Sequence, residues 1–109
     1  MNMELVKILP ANNILNSKYA IYDLSDVDNN PSGKRYLFTQ KFSEYSMEHF
    51  SDDIIIQEMV AEAEYRYDQG FFDTIKECEL AYQCACLTCK VEIITGQLNR
   101  LMSSINELS

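Results

Sequence analysis

The feature that most constrains this chain is a long stripe of apolar residues in its last third. Apolar residues recur there at alternating intervals of four and three, the heptad pattern of a helix that buries one face against a partner. Position a holds Cys84, Val91, Leu98 and Ile105, and position d holds Leu80, Leu87, Ile94, Leu101 and Leu108. The pattern predicts a long helix over residues 74–108. β-Branched residues at two a positions, with leucine at most d positions, favour a parallel dimer.

The length of this predicted helix sets a second constraint. A helix over residues 74–108 is ~50 Å long, whereas a compact domain of this size has a radius of gyration of only ~13 Å. The helix must therefore project from the rest of the chain or break, and Gly96 is the obvious place for a break. Gly96 falls at the outward f position and the heptad phase continues through it, so we expect a continuous helix.

A projecting apolar stripe needs a partner, and we expect a second copy of the chain to supply it. The alternative is that the stripe packs across the protein's own strands and first helix. The residues predicted to form the homodimer interface are Leu87, Val91, Ile94, Leu98, Leu101 and Ile105.

Residues 1–45 have the composition of a β region. Segment 4–9 is apolar and bounded by Pro10, and segments 18–24 and 34–42 are rich in aromatic and β-branched residues, which are typical of strands. Residues 25–33 read SDVDNNPSG, the composition of a turn. The sequence therefore predicts an antiparallel hairpin with a long loop, and an α+β fold in a single domain of 109 residues.

Residues 51–69 have the pattern of an acidic amphipathic helix. Ser51 is a good N-cap, and Gly70 is a natural stop after the last turn. The stretch from Glu44 to Glu79 contains eleven acidic residues against two basic ones, so it accounts for all of the net charge of −8. Its field repels nucleic-acid phosphates, so we expect no direct nucleic-acid binding but a basic protein partner.

The predicted partner-binding residues are the acidic and aromatic side chains on one side of this helix. The alternative is a solvated acidic face that only keeps the protein soluble. The predicted residues are Glu58, Glu62, Glu64, Tyr65 and Asp68.

Four cysteines lie within thirteen residues, at positions 78, 84, 86 and 89. Cys86 and Cys89 are spaced to share one metal ion, but a C-x-x-C motif with no second pair and no nearby histidine is a weak zinc signal. One straight helix cannot gather all four thiols around one ion. Cysteine is often a small buried apolar residue, so we expect Cys78, Cys86 and Cys89 to pack in the core. We predict no bound metal or other cofactor.

Motifs of catalysis and of membrane insertion are missing from the sequence. His49 is the only histidine, no phosphate-binding glycine loop occurs, and no apolar run approaches ~18 residues. We therefore predict a cytoplasmic, non-enzymatic, acidic protein-binding module that acts as a homodimer and does not bind membranes. One alternative is a phage-type inhibitor that mimics nucleic acid and blocks a basic nucleic-acid-binding protein. A second alternative is a zinc or thiol-redox protein that uses the cysteine cluster.

Overall fold

The computed structural model describes residues 2–10, 14–15, 17–63 and 65–108. It has the predicted α+β architecture, with an antiparallel sheet followed by helices, the last of which is long. In chain order the elements are β1 (Glu4–Ile8), β2 (Tyr19–Asp23), β3 (Tyr36–Gln40), α1 (Glu44–His49), α2 (Asp52–Glu62), β4 (Gly70–Phe72) and α3 (Ile75–Leu108).

The four strands form one antiparallel sheet in the order β1-β2-β3-β4. The predicted hairpin is present: β2 and β3 pair from Tyr19 opposite Gln40 to Asp23 opposite Tyr36. In the loop that joins them, the side-chain nitrogen Nδ2 of Asn30 donates to the carbonyl of Lys34 at 2.7 Å. The side-chain oxygen Oδ1 of Asn30 accepts from the N–H of Ser32 at 3.0 Å. The asparagine side chain therefore closes the turn, as its composition predicted.

The sheet is covered on both faces, which gives the protein three layers. On one face of β2, Ala20 and Tyr22 pack against α1 and α2, while Tyr19 and Ile21 on the other face pack against α3. Successive side chains of a strand point to opposite faces. The strand YAIY is therefore apolar at every position because each face has its own helical cover.

The acidic helix is shorter than the predicted 51–69, since α2 ends at Glu62. Residues 70–72 form the unpredicted strand β4, in which Phe71 pairs with Leu37 of β3. Phe71 and Phe72 pack into the cores on opposite faces of the sheet. Burial of two phenylalanines in a strand outweighs continuation of the helix, so Gly70 begins a strand instead of ending a helix.

Two further differences lie just before α2. The strand predicted over 34–42 ends at Gln40, and the unpredicted helix α1 follows it. Ser43 caps α1 by accepting a hydrogen bond from the N–H of Ser46 at 3.1 Å. Phe42 packs on the α1–α2 side of the sheet, with its ring centroid 5.0 Å from that of Tyr22. The β region therefore holds three strands, and its end belongs to the first helical layer.

The helix α3 runs unbroken through Gly96, as the heptad phase predicted. At its start Thr74 accepts a hydrogen bond from the N–H of Glu77 at 3.1 Å. Its first half packs on the sheet through Cys78, Tyr82 and Ala85, and its second half extends beyond the sheet. The protein consequently measures 62 × 25 × 23 Å, with a radius of gyration of 17.3 Å.

One buried carboxylate joins the start of the chain to α2. Both the N–H of Asn2 and the N–H of Met3 donate to Oδ2 of Asp52, each at 2.6 Å. Asp52 lies in the first turn of α2, where a negative charge is also favoured by the helix dipole. Its other oxygen, Oδ1, has no hydrogen-bond partner among the described residues.

We expect Asp52→Ala to lower the free energy of unfolding by about 2–3 kcal/mol, because two backbone donors lose a charged acceptor. The neighbouring Asp53 lies in the same turn but is exposed. Asp53→Ala is therefore the matched control and should cost only about 0.5 kcal/mol. Urea unfolding followed by circular dichroism measures both. Equal losses for the two variants would contradict the role assigned to Asp52.

Candidate protein-interaction surfaces

The face of α3 that points away from the sheet carries the heptad stripe. We call the six predicted interface residues on this face the α3 seam (Leu87, Val91, Ile94, Leu98, Leu101 and Ile105). They are between 52% and 62% exposed. By contrast, Cys78, Tyr82 and Ala85 on the opposite face of α3 are buried. The protein's own sheet therefore covers Cys78, Tyr82 and Ala85 and leaves the heptad stripe open along the helix.

The two helical layers differ in charge. Residues 44–62, which form α1, α2 and their junction, contain six carboxylates and no lysine or arginine; we call this part the acidic layer. The helix α3 contains four acidic and three basic residues, so it is nearly neutral. The acidic field and the exposed apolar seam therefore lie on opposite sides of the sheet.

A groove opens between the end of β3, α1 and α2, with a volume of about 340 Å³. Phe42, Ile55 and Met59 line it and also belong to the core or pack against it. Phe50 and Ile54 line it as well and are 49% and 50% exposed. We call this feature the acidic groove after Glu58 and Glu62 of α2, which line it together with the basic residues Lys41 and Arg66.

The structure separates the residues that were predicted to bind a partner. Glu58 and Glu62 lie together in the acidic groove. Tyr65 follows the end of α2 and is 74% exposed. Asp68 lies beyond the helix and is paired inside the protein, and Glu64 lies outside the described residues. The predicted set is therefore not one face of one helix, because α2 ends before Tyr65.

Asp68 accepts three hydrogen bonds from two residues. Arg66 donates through Nε at 3.0 Å and through a terminal nitrogen at 2.9 Å, and the Tyr19 hydroxyl donates at 2.9 Å. Burial by itself raises the pKa of Asp68, but the hydrogen bonds from Arg66 and Tyr19 outweigh burial and bring the pKa below its ordinary value. Asp68 therefore stabilises the junction between α2 and β4 and is not available as an open binding carboxylate.

The cysteines are divided between the two sides of α3. All four are thiols and not disulfides: Cys78 is buried, Cys84 is exposed, and Cys86 and Cys89 are half-buried. Burial raises the pKa of the Cys78 thiol to about 12, which keeps it protonated and unreactive. Within residues 2–10, 14–15, 17–63 and 65–108, no group of three or more histidine, cysteine or carboxylate side chains is placed to hold a metal ion.

The groove residues Phe50 and Ile54 were not predicted from the sequence. Phe50 precedes the N-cap Ser51, and a hydrophobic residue there is a recognised signal of a helix start that packs back on the first turns. Ile54 lies outside the apolar stripe that the spacing of Ile56, Met59, Val60 and Ala63 predicts for this helix. The sequence does contain a signal for this pair. An apolar residue just before the helix is followed, one turn later, by an apolar residue outside the expected stripe.

Comparisons of the chain with protein-family models, with curated proteins and with solved structures find no match. In the part of the chain that the structure describes, no helix combines the length and apolar character needed to cross a membrane. Function must therefore be argued from the geometry of the two surfaces.

The contribution of Asp68 to stability should depend on pH. Its pKa is lower in the folded protein, so its stabilising effect is complete above the unfolded pKa of about 3.9 and is lost as the pH falls through the folded value. We expect the stability difference between the wild type and Asp68→Asn to shrink as the pH falls from about 5 to about 2. Tyr19→Phe, which removes one donor, should show a smaller effect of the same sign. Urea unfolding across this pH range is the measurement, and a difference that stays constant contradicts the assignment.

Proposed function

We propose that this protein is a non-catalytic protein-binding module that forms a homodimer through the α3 seam and presents its acidic layer to a basic protein partner. The observation that carries the proposal is the open heptad stripe. A helix that already packs on its own sheet keeps a second apolar face, in heptad register, more than half exposed. Exposed apolar surface of this extent marks an interaction site.

The apolar surface is large enough to offset the cost of association. Complete burial of a leucine, isoleucine or valine side chain contributes about 1.5–3 kcal/mol, so each half-exposed seam residue has about 1 kcal/mol to gain. Twelve such residues across two copies gain on the order of 10 kcal/mol, which is comparable with the cost of association. Few charged side chains flank the seam, so no charge pattern at positions e and g opposes pairing with a second copy.

The residue types at the seam favour a parallel arrangement. Val91 and Ile105 are β-branched residues at position a, and Leu87 and Leu101 occupy position d, the combination preferred in parallel two-stranded coils. The sheet and the acidic layer lie behind α3, so two copies can bring their seams together with their sheets on the outside.

We expect the wild-type protein to elute as a dimer at tens of micromolar concentration and Leu98→Asp to elute as a monomer. The substitution places two carboxylates in the apolar interface, which should weaken association by at least about 100-fold. The matched control is Asn99→Asp, which adds the same charge at the adjacent position b, outside the seam. Light scattering coupled to size-exclusion chromatography distinguishes the forms. A wild-type monomer, or equal dissociation of both variants, contradicts the proposal.

The parallel orientation predicts a specific crosslink. Cys84 occupies position a, so a parallel dimer in register places the two Cys84 thiols opposite each other, whereas an antiparallel dimer centred on Ile94 separates them by about 30 Å. We expect a short bifunctional thiol reagent to join two chains through Cys84, as identified by mass spectrometry, and Cys84→Ser to abolish the product. A wild-type dimer without this crosslink contradicts the parallel arrangement.

A further inference from the structure

We infer that the acidic groove is the docking site for the partner, and that its occupant is a basic amphipathic peptide segment of another protein. The segment inserts a large apolar side chain between Phe50 and Ile54 and places lysine or arginine against Glu58 and Glu62. The inference rests on the protein-binding function proposed above and names the place and the chemistry of binding.

The shape of the groove fits an apolar anchor. Its volume of about 340 Å³ is that of a small ligand pocket and accommodates one or two large side chains. Phe50 precedes the N-cap Ser51 of α2, and Ile54 follows it by three residues. Each of the two side chains is about half exposed. The ring of Tyr45, which is 63% exposed, lies 6.4 Å from that of Phe50. Only an apolar side chain from another molecule can bury the exposed surfaces of Phe50 and Ile54.

The charges that line the groove select a basic segment. Glu58 makes no hydrogen bond or ion pair with the described residues. Glu62 forms an ion pair with Arg66 at 3.5 Å and accepts a hydrogen bond from Gln69 at 3.4 Å, both through Oε2, so its Oε1 atom has no partner among the described residues. Arg66 also lines the groove, but its guanidinium is already bound to Asp68 at 2.9 Å. Two carboxylates therefore face the groove with acceptor capacity to spare.

The spacing of the carboxylates matches a peptide side-chain pattern. Glu58 and Glu62 are four residues apart on α2, so their side chains lie about 6 Å apart on one face of the helix. Lysine or arginine residues one helical turn apart can pair with both. The remaining basic residue that lines the groove is Lys41. Lys41 lies just after β3, on a different element from the two glutamates, which lie on α2. The cation-binding side of the groove is therefore the α2 side.

The acidic groove and the α3 seam can be occupied together. The acidic layer covers one face of the sheet and α3 covers the other. A dimer formed through the seam keeps both grooves open, and a partner with two basic segments would gain avidity from them. The groove itself binds one segment per chain, so monovalent binding does not require the dimer.

The test is selection of binders from a displayed library of random twelve-residue peptides on the full-length protein, followed by fluorescence anisotropy with the enriched peptides. We expect enriched peptides to combine lysine or arginine with large apolar residues. Glu58→Lys with Glu62→Lys should weaken their binding at least tenfold, and Ile54→Ala about threefold to tenfold. Higher salt should weaken binding as well, because ion pairs at a surface are screened.

Matched controls exclude effects of net charge and of apolar area. Glu4→Lys with Glu107→Lys makes the same charge change at exposed positions away from the groove. Ile8→Ala shortens an isoleucine that is 50% exposed, as Ile54 is. Each control should change the dissociation constant by less than twofold.

Three outcomes overturn the inference: no enriched peptides, enriched peptides without excess positive charge, or binding that the groove variants and their controls weaken equally. Leu98→Asp separates this inference from the proposed dimer, since it should abolish dimerisation and leave monovalent peptide binding unchanged. Peptides that bind wild-type protein but not Leu98→Asp would assign binding to the α3 seam. That result would retain a protein-binding function and reject the groove.

Discussion

Coverage of the sheet on both faces is the constraint on which the rest of this structure depends. The central strands β2 and β3 bury Ala20 and Tyr22 on one side and Ile21 and Phe38 on the other. A sheet with two apolar faces cannot be left with either face in water. The chain therefore places two short helices on one side and part of one long helix on the other.

The two helical covers stabilise the sheet differently, and this difference produces the two exposed surfaces. The short helices α1 and α2 cover their face through Ile55, Ile56 and Met59, and the junction between them leaves Phe50 and Ile54 projecting beside a groove. The helix α3 uses Cys78, Tyr82 and Ala85 for the sheet. Since α3 is much longer than the strands, its heptad face extends past the sheet and remains open. The face of α3 that packs on the sheet is therefore different from the face used in the proposed dimer.

The electrostatic arrangement follows from the same layers. Carboxylates concentrated in the acidic layer face water on one side of the molecule, apart from Asp52, which binds backbone N–H groups near the start of the chain. Asp68 is satisfied by Arg66 and Tyr19. The negative field near the groove therefore comes chiefly from Glu58, which has no partner among the described residues, and from Glu62, whose Oε1 atom accepts no hydrogen bond from them. A field of this sign attracts basic segments and guides their approach.

The sequence by itself determined the elements whose signal is local and repeated. The heptad over α3 and the turn chemistry between β2 and β3 are decided by neighbours a few residues apart, so both could be predicted. The tertiary structure alone decided the end of α2 at Glu62, the strand β4 and the helix α1. These elements are short, and β4 exists because Phe71 pairs with Leu37 far along the chain. The acidic groove likewise depends on Phe42, Phe50 and Ile54 meeting in space, since no periodic pattern connects residues of a strand end, a junction and a helix.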